Sequence, residues 1–409
     1  MKMKKIVVSM FAAGILVSPL ANATNGYFSH GYGMKAKGMA GAGIALPQDS
    51  LAAATNPAGM VMVGDRIDLG LDWFRPSRGA EVVGAGGLGN GAFDGNGKSN
   101  FFIPEFGYNK MMNPNMSLGV SVYGNGGMNT DYASSPFGPN AGINLEQLFI
   151  APTWAMKLNP KHSIGVSLNL VYQTFAAKGL GAFAASSSNA AALTDNGKDS
   201  STGIGLRLGW TGELTDMLTM GATYQPKTKM SKFSKYAGLF AEQGGFDVPA
   251  SYGFGIAVKA TPATTIAADY EVIQYSGVPA IANTISAGGP LGANNGMGFG
   301  WTDVKVIKLG VSQVMSDTLT VRAGYSHNTQ PIPATQTMFN VLAPGVVQDH
   351  VTLGATWNIS KQNEVTFAYM HAFEKKVNGP GAIPVGFGAG DANIHMNENS
   401  LGVAYSWKM

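Results

Sequence analysis

Histidines at positions 30, 162, 327, 350, 371 and 395 are the first residues to weigh for chemistry, and their scatter along the chain offers no metal-ligand spacing. His327 and His371 fall near the ends of alternating segments, where a hydrolase would set a histidine beside a serine or an aspartate. No pattern in the sequence brings such a group to either one. Gly84-Ala-Gly-Gly-Leu-Gly89 has the form G-x-G-x-x-G, and Gly97-Lys98-Ser99 ends like a phosphate-binding loop. The first lacks a following helix, and the second has Ala92 where its leading glycine must stand, so both read as flexible loop. The chain has no cysteine, which removes thiol chemistry and a disulfide-stapled scaffold together. The sequence thus carries no catalytic site, no cofactor site and no metal site.

The elements that must position any remaining site are strands. From about residue 66 the dominant signal is period two. In 162–173, Ile164, Val166, Leu168, Leu170 and Tyr172 share one face, while Gly165, Ser167, Asn169 and Gln173 share the other. Residues 202–211, 217–225, 318–327, 351–357 and 363–371 repeat the arrangement. Collected, such segments make roughly fourteen strands of the length a tilted membrane-crossing strand needs. Their connections alternate strictly. Short turns at 111–114, 159–161, 214–216, 261–263, 316–317 and 360–361 separate long loops at 76–100, 125–145, 176–201, 228–248, 276–302, 328–347 and 374–397. A meander with every short turn at one end and every long loop at the other is the arrangement of a bacterial outer-membrane barrel, whereas a soluble sandwich has Greek-key connections. Trp73, Tyr108, Tyr172, Trp210, Tyr224, Tyr325, Trp357, Tyr405 and Trp407 fall near strand ends, where an interfacial girdle belongs.

The ends of the chain agree. Lys2, Lys4 and Lys5 precede an apolar run from Ile6 to Leu20 and an Ala21-Asn22-Ala23 cleavage pattern, so residues 1–23 read as a secretory signal peptide. Three of the 27 basic residues and none of the 24 acidic ones lie in it, which leaves 24 against 24 in the mature chain. Bulk charge therefore gives no attraction for nucleic acid. Charged residues make up only 12% of the chain, and glycines number 56, a composition that suits an all-β, membrane-embedded protein.

Residues 24–65 stand before the first strand. They are rich in Ala, Gly and Met and contain the turn signal Asn56-Pro57-Ala58. A barrel of this size encloses more space than its own side chains fill. Small residues allow close approach to a wall, and Pro57 fixes a turn. The segment reads as a plug, with a periplasmic tail as the alternative. Inward-phase charges Asp68, Asp72, Arg207, Lys259, Asp269, Glu271 and Arg322 would then pair with one another or with Lys35, Lys37, Asp49 and Asp65 of the plug. Arg207 or Arg322 could instead receive a substrate carboxylate. Met34 and Met60 belong to a group of methionines whose flexible thioethers suit a pocket for varied apolar ligands or simple lumen packing.

Gly38-Met-Ala-Gly-Ala-Gly43 followed by Asn56-Pro57-Ala58 resembles the FadL-type outer-membrane transporters of long-chain fatty acids and other hydrophobic compounds. Pro104-Glu-Phe-Gly-Tyr108, Pro152-Thr-Trp-Ala155, Leu218-Thr-Met-Gly-Ala-Thr-Tyr224, Val248-Pro249-Ala250, Ala268-Asp-Tyr270 and Leu319-Thr-Val-Arg-Ala-Gly-Tyr325 extend the resemblance over the mature chain. It implies a fourteen-stranded antiparallel transmembrane β-barrel over 66–409 with an N-terminal hatch over 24–65, in which Asn56, Pro57 and Ala58 form a hatch turn. It implies capture of a hydrophobic small molecule by apolar extracellular loops and transfer to a pocket touched by Thr24, Asn25, Gly26, Tyr27 and Phe28. Exit would be sideways beside a kinked third strand, where Gly119 and Gly124 lie. The expected partners are that ligand, outer-membrane lipid and the barrel-assembly machinery. A monomer without nucleic acid is expected. The competing readings are an adhesive or structural barrel and a general porin.

Overall fold

The computed structural model describes residues 24–409 of the chain; the expected signal peptide lies outside them. Fourteen antiparallel strands form one closed sheet. They are β1 (Arg66–Val83), β2 (Phe101–Asn113), β3 (Met116–Asp131), β4 (Gly142–Asn159), β5 (His162–Lys178), β6 (Asp199–Glu213) and β7 (Leu218–Gln225). The circuit continues with β8 (Ala250–Lys259), β9 (Thr264–Gln274), β10 (Val304–Val314), β11 (Leu319–Asn328), β12 (Asp349–Asn358), β13 (Asn363–Val377) and β14 (Asp391–Lys408). Each pairs with its sequence neighbour, and β14 closes on β1 from Arg66↔Lys408 to Val83↔Asp391. Closure removes the two free edges an open sheet would leave.

The alternation of side chains sorts two solvents. Outward residues such as Ile204, Phe254, Ile307 and Leu353 are 58–69% exposed, a continuous apolar surface that only lipid can cover. Inward positions carry Ser, Thr, Asn, Gln and glycine, together with the buried charges. Several strands run beyond the apolar band on the loop side: β1 reaches Val83, β3 reaches Asp131 and β14 begins at Asp391. Above the bilayer both faces of a strand meet protein or water, so the period-two signal that marks a membrane strand fades there although the ladder continues.

The segment before β1 sits within the barrel. Almost every residue from Thr24 to Val61 is buried. It folds as short turns of helix, Met34–Lys37, Ala52–Ala54 and Pro57–Met62, because Gly and Pro interrupt anything longer. The wall meets it with inward glycines. A Cβ at Gly165 would stand 2.4 Å from Pro57, one at Gly221 2.4 Å from the Ile44 oxygen, and one at Gly324 2.4 Å from the Met39 carbonyl carbon. On the loop side, residues between strands fold inward and merge with the N-terminal segment into one apolar core that includes Phe175, Phe183, Phe240, Phe299 and Phe339.

Candidate functional site: an apolar chamber and an interrupted wall

Ion pairs hold the lower part of the leading segment. Lys37 Nζ lies 2.8 Å from Asp72 and 2.7 Å from Glu105. Lys35 pairs with Glu364 at 2.5 Å, and Glu364 also takes Arg66 and Lys408. Asp68 accepts from the Ser50 amide and hydroxyl, and Asp269 accepts from the amides of Gly43 and Ile44. Buried carboxylates need such partners, since an uncompensated ion in a confined interior is costly. Arg207 donates to the Thr55 carbonyl and to Gln225, and Arg322 donates to Gln48 and Thr356. Both guanidiniums thus hold the leading segment to the wall. Lys259 is exposed, and Asp65 pairs with Lys110 outside the buried cluster.

Asn56 is the junction of this region. Its Nδ2 donates to the carbonyls of Ile44 and Trp210 at 2.7 and 2.9 Å, and its Oδ1 accepts from the Ala58 amide at 3.1 Å. One side chain caps a helical turn, ties two arms of the segment together and fastens both to β6. Pro57 starts the turn and Ala58 is fully buried behind it. Met34 packs against Gly402 of β14 and Met60 against Gly119 of β3. The structure therefore places both methionines against the wall, apart from the aromatic cluster around Tyr27.

That cluster forms at the first described residues. The amide of Asn25 donates to the Phe28 carbonyl. The Thr24 hydroxyl bonds the same carbonyl at 3.0 Å, and Gly26 turns the chain with φ +69°. A Cβ at Gly26 would stand 2.7 Å from the Tyr275 hydroxyl and 2.9 Å from the Trp301 ring, so only glycine fits this turn. The Tyr275 hydroxyl accepts from the amides of Tyr27 and Phe28 and donates to the Asn25 carbonyl at 2.6 Å. The Tyr27 ring packs on Phe28, Tyr275, Phe246 and Trp301. Burial pushes the Tyr27 hydroxyl well above the ordinary tyrosine range.

Two cavities adjoin it. One is an open cleft lined by Gly26, Phe74, Arg78, Phe101, Asn129, Trp301 and Met396 among others. The second is lined by apolar side chains of the inward-folded loops and strand ends, including Leu180, Phe183, Phe240, Leu291, Phe299 and Phe339. Mostly apolar linings of this kind suit contact with a hydrophobic molecule.

The wall is interrupted beside Tyr27. β2 and β3 pair only from Phe106↔Val122 down to Asn113↔Met116. Above Val122, β3 keeps its partner β4 but loses β2, and its register slips between Gly124 and Gly126, leaving Asn125 as a bulge. The N-terminal segment takes the vacated edge. The Gly127 amide donates to the Tyr27 carbonyl at 2.9 Å, and the Ser29 amide donates to the Asn125 carbonyl at 3.0 Å. Gly126 makes this approach possible, because a Cβ there would lie 1.9 Å from the Tyr27 oxygen. Gly119 sits lower, in regular pairing with Asn109 and Thr153. The sequence reading reached Gly124 but missed Asn125 and Gly126. Three glycines within Gly124-Asn-Gly-Gly127 were the available signal.

His327 meets Asp349 at 2.8 Å on the exposed outer face, where Tyr325 also donates to Asp349. No group of three or more potential metal ligands occurs among the described residues.

The profile of the outer membrane protein transport protein family (OMPP1/FadL/TodX) matches residues 15–405. No curated protein sequence matches the chain. Among solved structures, a Pseudomonas aeruginosa FadL homologue superposes with TM-score 0.74 at 16% identity, covering 94% of this chain and 99% of its own. The Pseudomonas putida toluene transporter TodX superposes with TM-score 0.69 at 18% identity, covering 93% and 99%. The Ralstonia pickettii toluene transporter TbuX gives 0.65 at 18% identity over 93% and 99%. At these identities the superpositions establish the fold, and the profile match over most of the sequence establishes the lineage: the chain belongs to the OMPP1/FadL/TodX family of outer-membrane transport proteins of Gram-negative bacteria.

Proposed function

We propose that this protein is a passive importer of hydrophobic small molecules, either long-chain fatty acids or aromatic and aliphatic hydrocarbons. The ligand enters among the apolar loop residues around Phe183 and Phe240, moves to the cleft beside Gly26 and Tyr27, and leaves sideways between β2 and β3. Residues 24–65 act as the hatch, with the Asn56-Pro57-Ala58 turn as its fastening. Thr24 to Phe28 form its moving tip, and Arg207 and Arg322 serve as anchors. The observation that carries this reading is the substitution of Tyr27–Ser29 for β2 at the edge of β3. On moving aside the tip gives up a few backbone hydrogen bonds, each worth about 1 kcal/mol net, its bonds to the Tyr275 hydroxyl and the packing of Tyr27 against Tyr275, Phe246 and Trp301. Burial of the ligand at about 25 cal/mol per Å² offsets such a loss.

A reversible cross-link tests the exit. A Cβ at Gly124 would lie 3.0 Å from Ile103 Cγ2, so Ile103→Cys with Gly124→Cys stands within disulfide reach, and no other thiol is present. Uptake of radiolabelled toluene or oleate by cells carrying the oxidised pair should fall to the level of a transporter-null strain and return on reduction with dithiothreitol. Full uptake through the oxidised protein would rule out exit between these strands.

A further inference from the structure

Glu398 lies on β14, directly across the ladder from Pro76 of β1 and two residues from Met396. Pro76 and Met396 both line the cleft beside Gly26 and Trp301. Glu398 shares the inward face of β14 with Met396 and with Ser400, whose hydroxyl donates to Asp72. It is fully buried, and neither carboxyl oxygen has a hydrogen-bond partner. Every other buried carboxyl of the lumen described above accepts from a lysine, an arginine, a hydroxyl or a backbone amide. The neighbouring cation does not serve it. Arg78 spends its N–H groups on the Asn129 carbonyl and Oδ1, the Lys98 and Pro76 carbonyls and Asn96 Oδ1. Its guanidinium stands 5.9 Å from the centre of the Phe101 ring. A carboxyl sealed from water without a donor is costly to keep. Its neighbours Pro76 and Met396 line a cleft whose other walls include the rings of Phe74, Phe101 and Trp301 and the already hydrogen-bonded Arg78 and Asn129. A mostly apolar cleft with few polar groups beside it, of which this carboxyl alone lacks a partner, follows the usual plan of a small-molecule site.

We infer that Glu398 is the polar pole of this cleft and selects apolar molecules bearing one hydroxyl or amine donor over bare hydrocarbons of the same shape. The inference rests on the transport reading above and narrows its substrate class. A donor on the ligand finds the carboxyl unpaired and ready. A hydrocarbon leaves it unsatisfied, which is how a polar group built into a pocket discriminates between isosteres.

Phenol and toluene differ by a hydroxyl against a methyl and are the natural probes. Their affinities for the detergent-purified full-length protein are read from competition with a labelled aromatic, and the phenol-to-toluene ratio cancels partition into detergent. Glu398→Leu should lower that ratio about tenfold. Glu398→Gln keeps an acceptor oxygen and should hold the ratio near the wild-type value. An unchanged ratio in the leucine variant overturns the inference. So does an equal fall in both variants, which would make Glu398 a distant counter-charge to Arg78. Failure of wild type to bind either probe overturns this inference, and the transport reading then stands or falls on the oleate uptake of the cross-linking experiment. Binding of both with no effect of substitution overturns this inference alone. A second measurement needs no variant: anomalous scattering from 4-bromophenol soaked into crystals of the protein should place the phenol oxygen within hydrogen-bond distance of Glu398. A hydroxyl directed elsewhere would refute the assignment.

Discussion

Asn56 shows how much one side chain decides in the lumen. Its amide serves Ile44, Trp210 and Ala58 at once, so the segment it belongs to is held by a residue that no hydrophobic pattern would single out. Lys37 is the electrostatic counterpart, shared between Asp72 of β1 and Glu105 of β2. Asp49 differs from both. Burial, and then the nearby Asp68 carboxylate, push its carboxyl up to about 7. The folded state therefore holds this proton more tightly than the unfolded chain does. Its contribution to stability is complete below the ordinary carboxylate range near 4 and is lost as pH climbs toward 7. Amides of residues 44–62 should accordingly be less protected from hydrogen exchange at pH 8 than at pH 5.5, after correction for intrinsic rates. Asp49→Asn should abolish the difference. Equal protection in wild type at both values would contradict this account. His30 has no such role near neutral pH, because burial, reinforced by His350 and two lysines, holds its imidazole well below the usual histidine range.

At the scale of the element, β3 is two strands in one. Its lower part is an ordinary wall strand between β2 and β4. Its upper part is an edge whose missing partner is the tip of the leading segment. An unpaired edge facing the interior is a template for pairing, and here the chain supplies its own cover. Gly126 is the position that permits it. Gly126→Ala would drive a methyl into the Tyr27 carbonyl, a clash costing about 1–3 kcal/mol. The expected result is faster hydrogen exchange and faster proteolytic cleavage in residues 24–30, with the barrel itself intact by heat-modifiable migration. Gly277→Ala, where an added Cβ meets nothing within 4 Å, provides the comparison and should leave both rates alone. Indistinguishable behaviour of the two variants would show that the tip does not depend on this contact. The inward glycines along β5, β7 and β11 follow the same logic, leaving the wall bare where the leading segment lies against it.

The whole molecule is a cylinder filled from both ends. The leading segment occupies the lower lumen, and inward-folded loops close the upper part over an apolar core. An empty barrel of fourteen strands would hold a continuous water column; this one is packed across its width. In planar bilayers the intact protein should show no steady ionic current. A variant lacking residues 24–65 should conduct steadily, because Arg207, Arg322 and the facing carboxylates would then line open water. Steady current through the intact protein would identify a general porin.

Period-two alternation and the strict alternation of short turns with long loops, together with the expected export signal, were enough to read a fourteen-stranded outer-membrane barrel. All three are local, and a strand between lipid and lumen must repeat them along its own length. The Gly-rich leader with its Asn-Pro-Ala turn was likewise legible as an irregular segment, since Gly and Pro interrupt any longer element. Which groups meet was not legible. Lys37 with Glu105, Tyr275 with Gly26, and Tyr27 with Gly126 join residues tens to hundreds of positions apart. Arg207 and Arg322 read more readily as anchors than as ligand cations, but their acceptors, Thr55 and Gln225 for one and Gln48 and Thr356 for the other, come only from the structure. Glu398 carried no mark at all, because a lone inward carboxyl acquires its meaning from the partners that closure of β14 on β1 withholds. Alternation is fixed by the chemistry of each strand's two surroundings, and partnership is fixed only by how the cylinder closes on its contents.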